Sequence, residues 1–255
     1  MADSGFSCDW ADRHKSPEIG QAPGTGTHGA IKDRTYSCSL ALSSCRHGGA
    51  RNRADRESEK LSGAQVDRLI AAADFALATG RTFQRHWIIH YGKVGIGADA
   101  GARFVGKLLD LVGKHARRAG GELTALWVRE RASDYGEHVH ILMHLPVGLH
   151  LRNRTRHWIV AAGGTYRNGV SAVRIVGGKL TKARPADPHG AAHYRANARN
   201  VVGYLLKSSE LEKGQRLGLK YSGRGGSIIG KRCGWTQNIG ASSRSPSVPT
   251  ALPLL

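Results

Sequence analysis

Apolar residues recur at helical spacing in three long stretches and at strand spacing in four short ones. Val66, Leu69, Ile70, Ala73 and Leu77 fall at i, i+3, i+4, i+7 and i+11, with Ser62 as a cap before them and Gly80 as a stop after them, which predicts an amphipathic helix. The run His86 to Tyr91 is short, aromatic and β-branched, and Gly92, Gly95 and Gly97 break it, as a strand requires. Phe104, Val105, Leu108, Leu111 and Val112 mark a second helix that Gly120 and Gly121 end. Two strands follow, Leu123 to Glu130 and Glu137 to Leu145, joined by the polar turn Arg131 to Gly136. The basic stretch Arg152 to Ala162 predicts a helix with Trp158 and Ile159 turned inward, Val170 to Val176 another strand, and Ala191 to Ser208 a last helix on Ala198, Val201, Val202, Leu205 and Leu206.

After the first helix the order is therefore β, α, β, β, α, β, α. That order predicts an α+β fold: a ferredoxin-like split βαβ antiparallel sheet with helices packed on one face. In residues 1–60 the apolar side chains, such as Trp10 and Ile31, never recur at either period. Such a segment cannot offset its ordering entropy and is expected to be disordered. The folded domain is expected over 61–212, and 213–255 reads as a basic, Gly/Ser-rich tail with a disordered end.

Charge changes the picture more than composition does. The 255 residues carry 38 Lys+Arg against 19 Asp+Glu, a formal net charge of +19. Only nine basic and eight acidic side chains lie in the first sixty residues, so +18 of the +19 belongs to the part expected to fold. A surface that basic attracts phosphate backbones. No apolar run approaches the roughly 20 residues needed to span a bilayer, so nucleic acid is the expected partner rather than a membrane. Cys8, Cys38, Cys45 and Cys233 form no C-x-x-C pair, which argues against a zinc finger and a disulfide framework. The opening residues lack the apolar segment of a secretory signal, and a cytoplasmic location is expected.

In the strand from Glu137 to Leu145 a period of two puts His138, His140, Leu142 and His144 on one face and Val139, Ile141, Met143 and Leu145 on the other. The second set is a core face. His138 and His140 stand about 6.6 Å apart along the strand, close enough to lean onto one divalent cation. His144 is about 13 Å beyond His140 and is expected to be structural or DNA-facing. A hard oxygen ligand would suit Mg²⁺ or Mn²⁺, and Glu130, which ends the preceding strand, is the candidate. Glu137 is pointed away from His138 by the same alternation.

On the last helix Asn200, Gly203, Tyr204 and Lys207 share one stripe. A tyrosine one turn from a lysine can act as a nucleophile, because the ammonium lowers the cost of phenolate and can pair with a phosphate oxygen.

This combination resembles the HUH endonucleases, and among them most the rolling-circle replication initiators. The residues that carry the likeness are Trp87-Ile88-Ile89-His90-Tyr91, Glu130 with Gly136-Glu137-His138-Val139-His140, and Tyr204-Leu205-Leu206-Lys207. The resemblance implies that His138, His140 and Glu130 hold the ion and that Tyr204 attacks a phosphodiester to form a 5′-phosphotyrosine while Lys207 positions the phosphate or ion. Tyr194 lies off the same helical face, so the resemblance is to a one-tyrosine member. It implies single-stranded DNA or a DNA hairpin as substrate, with a host helicase and polymerase as partners. A single-strand transposase of the same chemistry and a non-catalytic nucleic-acid-binding protein remain as alternatives.

Gly225 to Arg232 matches G-x-x-x-x-G-K but has Arg232 where a nucleotide site needs Ser or Thr, and no apolar strand precedes it. A nucleotide site is rejected. With Arg224, the pair Lys231 and Arg232 is expected instead to meet DNA phosphates, as are Arg152, Arg154 and Arg156. The earlier helix adds Arg103, Lys107, Lys114, Arg117 and Arg118 on its polar face. Trp158 is expected in the core.

Overall fold

The computed structural model describes residues 55–133, 136–151, 154–176, 188–220, 222–223 and 225–244. The expectation of disorder over 1–60 therefore lies outside the described residues as far as 54, and the same holds for the chain end beyond 244. A short strand β1 (Glu57–Ser58) precedes helix α1 (Gly63–Ala78). Ser62 caps α1: its hydroxyl accepts from the Gln65 N–H at 3.3 Å, and Gln65 Oε1 accepts from the Ser62 N–H at 2.9 Å. A reciprocal cap of this kind is worth about 1 kcal/mol.

Strand β2 (Arg85–His90) runs into a single turn, α2 (Tyr91–Val94), and then helix α3 (Gly101–Arg118). The hairpin β3 (Thr124–Ala132) and β4 (Gly136–His144) is followed by α4 (Thr155–Ala161) and β5 (Ser171–Ile175). Helix α5 (Pro188–Leu205), helix α6 (Leu211–Arg216) and the short strands β6 (Ile228–Ile229) and β7 (Cys233–Trp235) complete the described chain, with two 3₁₀ turns after β7.

Five strands form one antiparallel sheet in the order β5-β2-β4-β3-β7, and β1 pairs with β6 in a separate ribbon. Strand β4 is central, so its side chains are covered from both sides of the sheet. On one face Trp87, Ile89, Trp127, Ile141 and Met143 pack against Phe104, Val105 and Leu108 of α3 and Trp158 and Ile159 of α4. On the other, Leu126, Val128 and Leu142 pack against Leu69 and Ala73 of α1 and Ala198, Val202 and Leu205 of α5. Truncating a leucine such as Leu142 to alanine in such a core costs about 2–5 kcal/mol.

Two expectations change. Helices cover both faces, because β3 and β4 alternate apolar residues on each side and both sets need cover. The region after Lys213 is no mere tail as far as Arg244: it supplies the edge strand β7 and the ribbon strand β6, and β1 carries the fold back to Glu57. Strands of two or three residues are too short to show a period. No described helix is long and apolar enough to cross a membrane.

Candidate metal and tyrosine site

The β3–β4 register places Glu130 directly across from His138, and Val128 across from His140. Opposed residues of an antiparallel pair share a face with Cβ atoms about 4.5–5.5 Å apart, so the carboxylate reaches both imidazoles. Gly136 enters β4 at φ 64°, a left-handed conformation that glycine adopts without strain. Its carbonyl lies 3.1 Å from His138 Nδ1. A carbonyl only accepts, so Nδ1 carries a proton, and the other ring nitrogen, Nε2, lies 3.1 Å from Glu130 Oε1.

His140 is 2% exposed. Its Nδ1 lies 3.0 Å from His86 Nε2. Its Nε2 is buried against Glu130 Oε1 and has no hydrogen-bond partner among the described residues. One ligand atom from each of Glu130, His138 and His140 falls within 4.8 Å of the others, all three residues buried. A carboxylate oxygen and two imidazole nitrogens gathered this closely could hold a metal ion.

Electrostatics agree. Burial alone would raise the Glu130 carboxyl, but the bond to His138, the close contact with His140 and the charge of Lys207 outweigh it and hold it well below the usual carboxylate range. Burial pushes His140 down to about 4 against the pull of Glu130. Burial likewise takes His86 down to about 3, helped by the charges of His140, Arg174 and Lys207. A neutral His140 beside an ionised carboxylate is the protonation state that metal ligation needs.

Tyr204 arrives from a different element. Helix α5 ends at Leu205, three residues short of the expected end, and the turn tightens: Leu206 N–H bonds the Gly203 carbonyl at 3.2 Å and Lys207 N–H the Tyr204 carbonyl at 3.3 Å. In such 3₁₀ bonding, side chains at i and i+3 eclipse. Lys207 Nζ accordingly sits over the Tyr204 ring, 3.7 Å from its centre, and also 2.8 Å from Glu130 Oε1. The Tyr204 ring meets His140 edge-on, with centroids 5.3 Å apart, and His86 at 6.5 Å. Tyr194 instead donates its hydroxyl to the Phe83 carbonyl at 3.0 Å, and its burial raises its pKa. It serves the fold.

The structure thus brings Glu130, His138, His140, Tyr204 and Lys207 together on the sheet face beneath α5. Among the described residues, it does not bring Arg154, Arg156 or Lys231 there. Arg154 and Arg156 are exposed at the start of α4, a helix that packs on the opposite face, and Arg152 and Arg224 lie outside the described residues. Lys231 is exposed, 5.5 Å over the Trp127 ring. Arg232 departs from expectation: it is 1% exposed, and its guanidinium bonds Ser58 Oγ at 3.0 Å, the Ser58 carbonyl, and the Gly226 carbonyl at 2.6 Å. A side chain enclosed by its own chain offers nothing to a DNA phosphate at the surface. His144 is structural, its Nδ1 2.8 Å from the Thr82 carbonyl. Glu137, on the far side of β4, pairs with Arg129 at 2.5 Å.

Sequence reasoning misses His86, His90 and Arg174. Trp87 and Ile89 face one core, so alternation puts His86 and His90 on the same side of the sheet as Glu130, His138 and His140. His90 stands across from His138, and Arg174 of β5 across from His86. The alternation is visible in the sequence, but the strand order that sets β2 beside β4 is not. Comparison with known protein families, curated proteins and solved structures gives no match.

Proposed function

We propose that the chain nicks and rejoins single-stranded DNA through a covalent tyrosine intermediate, as an initiator of rolling-circle replication. The observation that carries this reading is the placement of the Tyr204 ring 5.3 Å from His140, with Lys207 between that ring and the Glu130 carboxylate. The strand order β5-β2-β4-β3, with β2 and β3 both antiparallel to β4, supports a ferredoxin-like split βαβ core to which β7 adds an edge. It is the fold that the likeness to HUH endonucleases leads one to expect.

Glu130, His138 and His140 would hold Mg²⁺ or Mn²⁺. A bound ion of this kind supplies Lewis-acid polarisation of the scissile phosphate and offsets the charge that grows in the transition state. The Tyr204 phenol oxygen attacks phosphorus and loses its proton. The new bond joins tyrosine to the 5′-phosphate, the P–O3′ bond breaks, and the departing oxygen takes a proton to become a free 3′-hydroxyl. Lys207 stabilises the phenolate through the ring face it covers and pairs with a phosphate oxygen. Attack by a 3′-hydroxyl on the phosphotyrosine reverses the step without ATP. In this reading a host helicase unwinds the duplex and a host polymerase extends the 3′-hydroxyl.

The test is incubation of the protein with labelled single-stranded DNA or a hairpin and Mn²⁺, followed by denaturing electrophoresis. A covalent adduct is expected, lost in Tyr204→Phe with DNA affinity retained. DNA binding without any adduct would leave a non-catalytic binding protein. An adduct that transfers between strands at sites other than a replication origin would favour a single-strand transposase.

A further inference from the structure

The two ligand histidines have their second ring nitrogens held in different ways. His138 Nδ1 meets a backbone carbonyl, that of Gly136, at 3.1 Å. Among the described residues His140 Nδ1 meets no backbone group; its partner is His86 Nε2 at 3.0 Å. A carbonyl can only accept, so it fixes the tautomer of His138 outright. An imidazole nitrogen can accept or donate, and which it does decides whether His140 Nε2 carries a lone pair or a proton. Only the lone pair can bind an ion.

His140 is also the ligand with the less favourable neighbourhood. It lies beside an ionised carboxylate, which by itself draws a proton onto Nε2. Something must hold the proton on Nδ1 instead, and among the described residues His86 is the group in hydrogen-bond reach of that nitrogen. His86 is well placed to do so rigidly: it is 6% exposed, it stands on β2 next to the central strand, and its ring is tilted 35° to that of His140 with centroids 5.1 Å apart.

Resting on the metal reading above, we propose that His86 is a positioning residue for the metal site. It accepts the Nδ1 proton of His140 and so presents His140 Nε2 to the cation as a ligand. Partners of this outer kind orient the ring and raise its basicity, and their loss costs about 10- to 100-fold in metal affinity. His86 does not touch substrate or ion.

The test is a Mn²⁺ titration, followed by electron paramagnetic resonance, of the unaltered protein, His86→Gln, His86→Met and Glu130→Gln, with thermal unfolding measured alongside. Gln offers an amide oxygen that accepts the His140 proton; Met fills similar space and offers no comparable acceptor. Mn²⁺ affinity is expected to fall about 10- to 100-fold in the Met variant and to recover largely in the Gln variant. Equal affinity in the Met and unaltered proteins, or no recovery with Gln, overturns the role of His86. Should the Met variant not fold, ¹⁵N correlation spectra of the unaltered, metal-free protein decide: His140 protonated at Nδ1 supports the proposal, and protonation at Nε2 refutes it. Failure of the unaltered protein to bind Mn²⁺ any better than Glu130→Gln refutes the metal reading itself, an outcome distinct from normal binding that ignores His86.

Discussion

Lys207 Nζ lies 2.8 Å from Glu130 Oε1, the oxygen on which His138 Nε2 and His140 Nε2 also converge. An ammonium on that oxygen neutralises the carboxylate in place of a metal and repels an arriving ion. Lys207 and the cation are therefore competitors for one atom. Lys207→Met is expected to tighten Mn²⁺ binding by about tenfold, equivalent to about 1.4 kcal/mol, while the covalent DNA adduct forms more slowly. The metal-free variant should melt below the unaltered protein, because a buried carboxylate has lost its counter-charge, and Mn²⁺ should raise its melting temperature by more. Unchanged or weaker Mn²⁺ affinity would contradict the competition.

Arg103, Lys107, Arg117 and Arg118 are exposed on α3, and Arg154 and Arg156 on α4, both helices covering the sheet face away from Tyr204. The acidic residue on α3, Asp110, is already paired with Lys114 at 2.7 Å. This face therefore presents a net positive surface separate from the tyrosine. Charge reversal of Arg117 and Arg118 to Glu should weaken DNA binding at low salt and flatten the slope of log affinity against log salt by about 0.7–0.9 for each phosphate no longer neutralised. The rate of adduct formation at saturating DNA should not change. A loss of rate with unaltered salt slope would assign these arginines to the chemistry.

The site is more legible in the sequence than the architecture around it. Strand alternation alone separates His138 and His140 from Val139, Ile141 and Met143, and helical spacing alone pairs Tyr204 with Lys207. The position of Glu130 requires only a tight hairpin. Neighbourhood between strands distant in sequence is not legible: His86 acquires its contact with His140 from the β2–β4 pairing, which spans 54 residues. Arg232 escapes sequence reasoning for the same reason. Its positive charge suggests a surface, whereas its carbonyl partner on Ser58 lies 174 residues away.

Gly101 opens α3 beside the buried Arg129. A Cβ at this position would overlap Arg129 Nη2 and the Tyr91 ring. Arg129 cannot swing aside, because it is held by Glu137, by the Ile229 and Lys231 carbonyls at 2.9 and 3.0 Å, and by the Ala98 carbonyl at 3.0 Å. Gly101→Ala should therefore cost about 1–3 kcal/mol of stability, read as a lower urea midpoint with an unchanged m-value. A neutral effect would mean that the arginine cluster is looser than its bonds imply.

Cys233 lies in β7, 5% exposed, and burial pushes its thiol up to about 11. Iodoacetamide at pH 8 should leave it unmodified in the folded protein and alkylate it after unfolding, as mapped by mass spectrometry, because thiolate is the reactive form. The sign of the linkage follows: the neutral thiol favours the folded state below the ordinary thiol pKa near 9, and that contribution fades as pH rises toward about 11. Rapid native alkylation would show that β7 detaches from the sheet.

The ribbon of β1 and β6 ties together two stretches that flank the domain in sequence. Leu61 N–H bonds the Ser208 carbonyl at 2.8 Å immediately beyond Lys207, and Arg232 grips the Ser58 carbonyl. The turn that seats the lysine over its tyrosine is thus buttressed by residues that precede the first long helix. Trimming the chain to 61–212 would keep the Leu61 bond but remove the ribbon, the grip of Arg232 on Ser58 and the edge strand, so a minimal working version has to retain both Glu57–Ser58 and Cys233–Trp235.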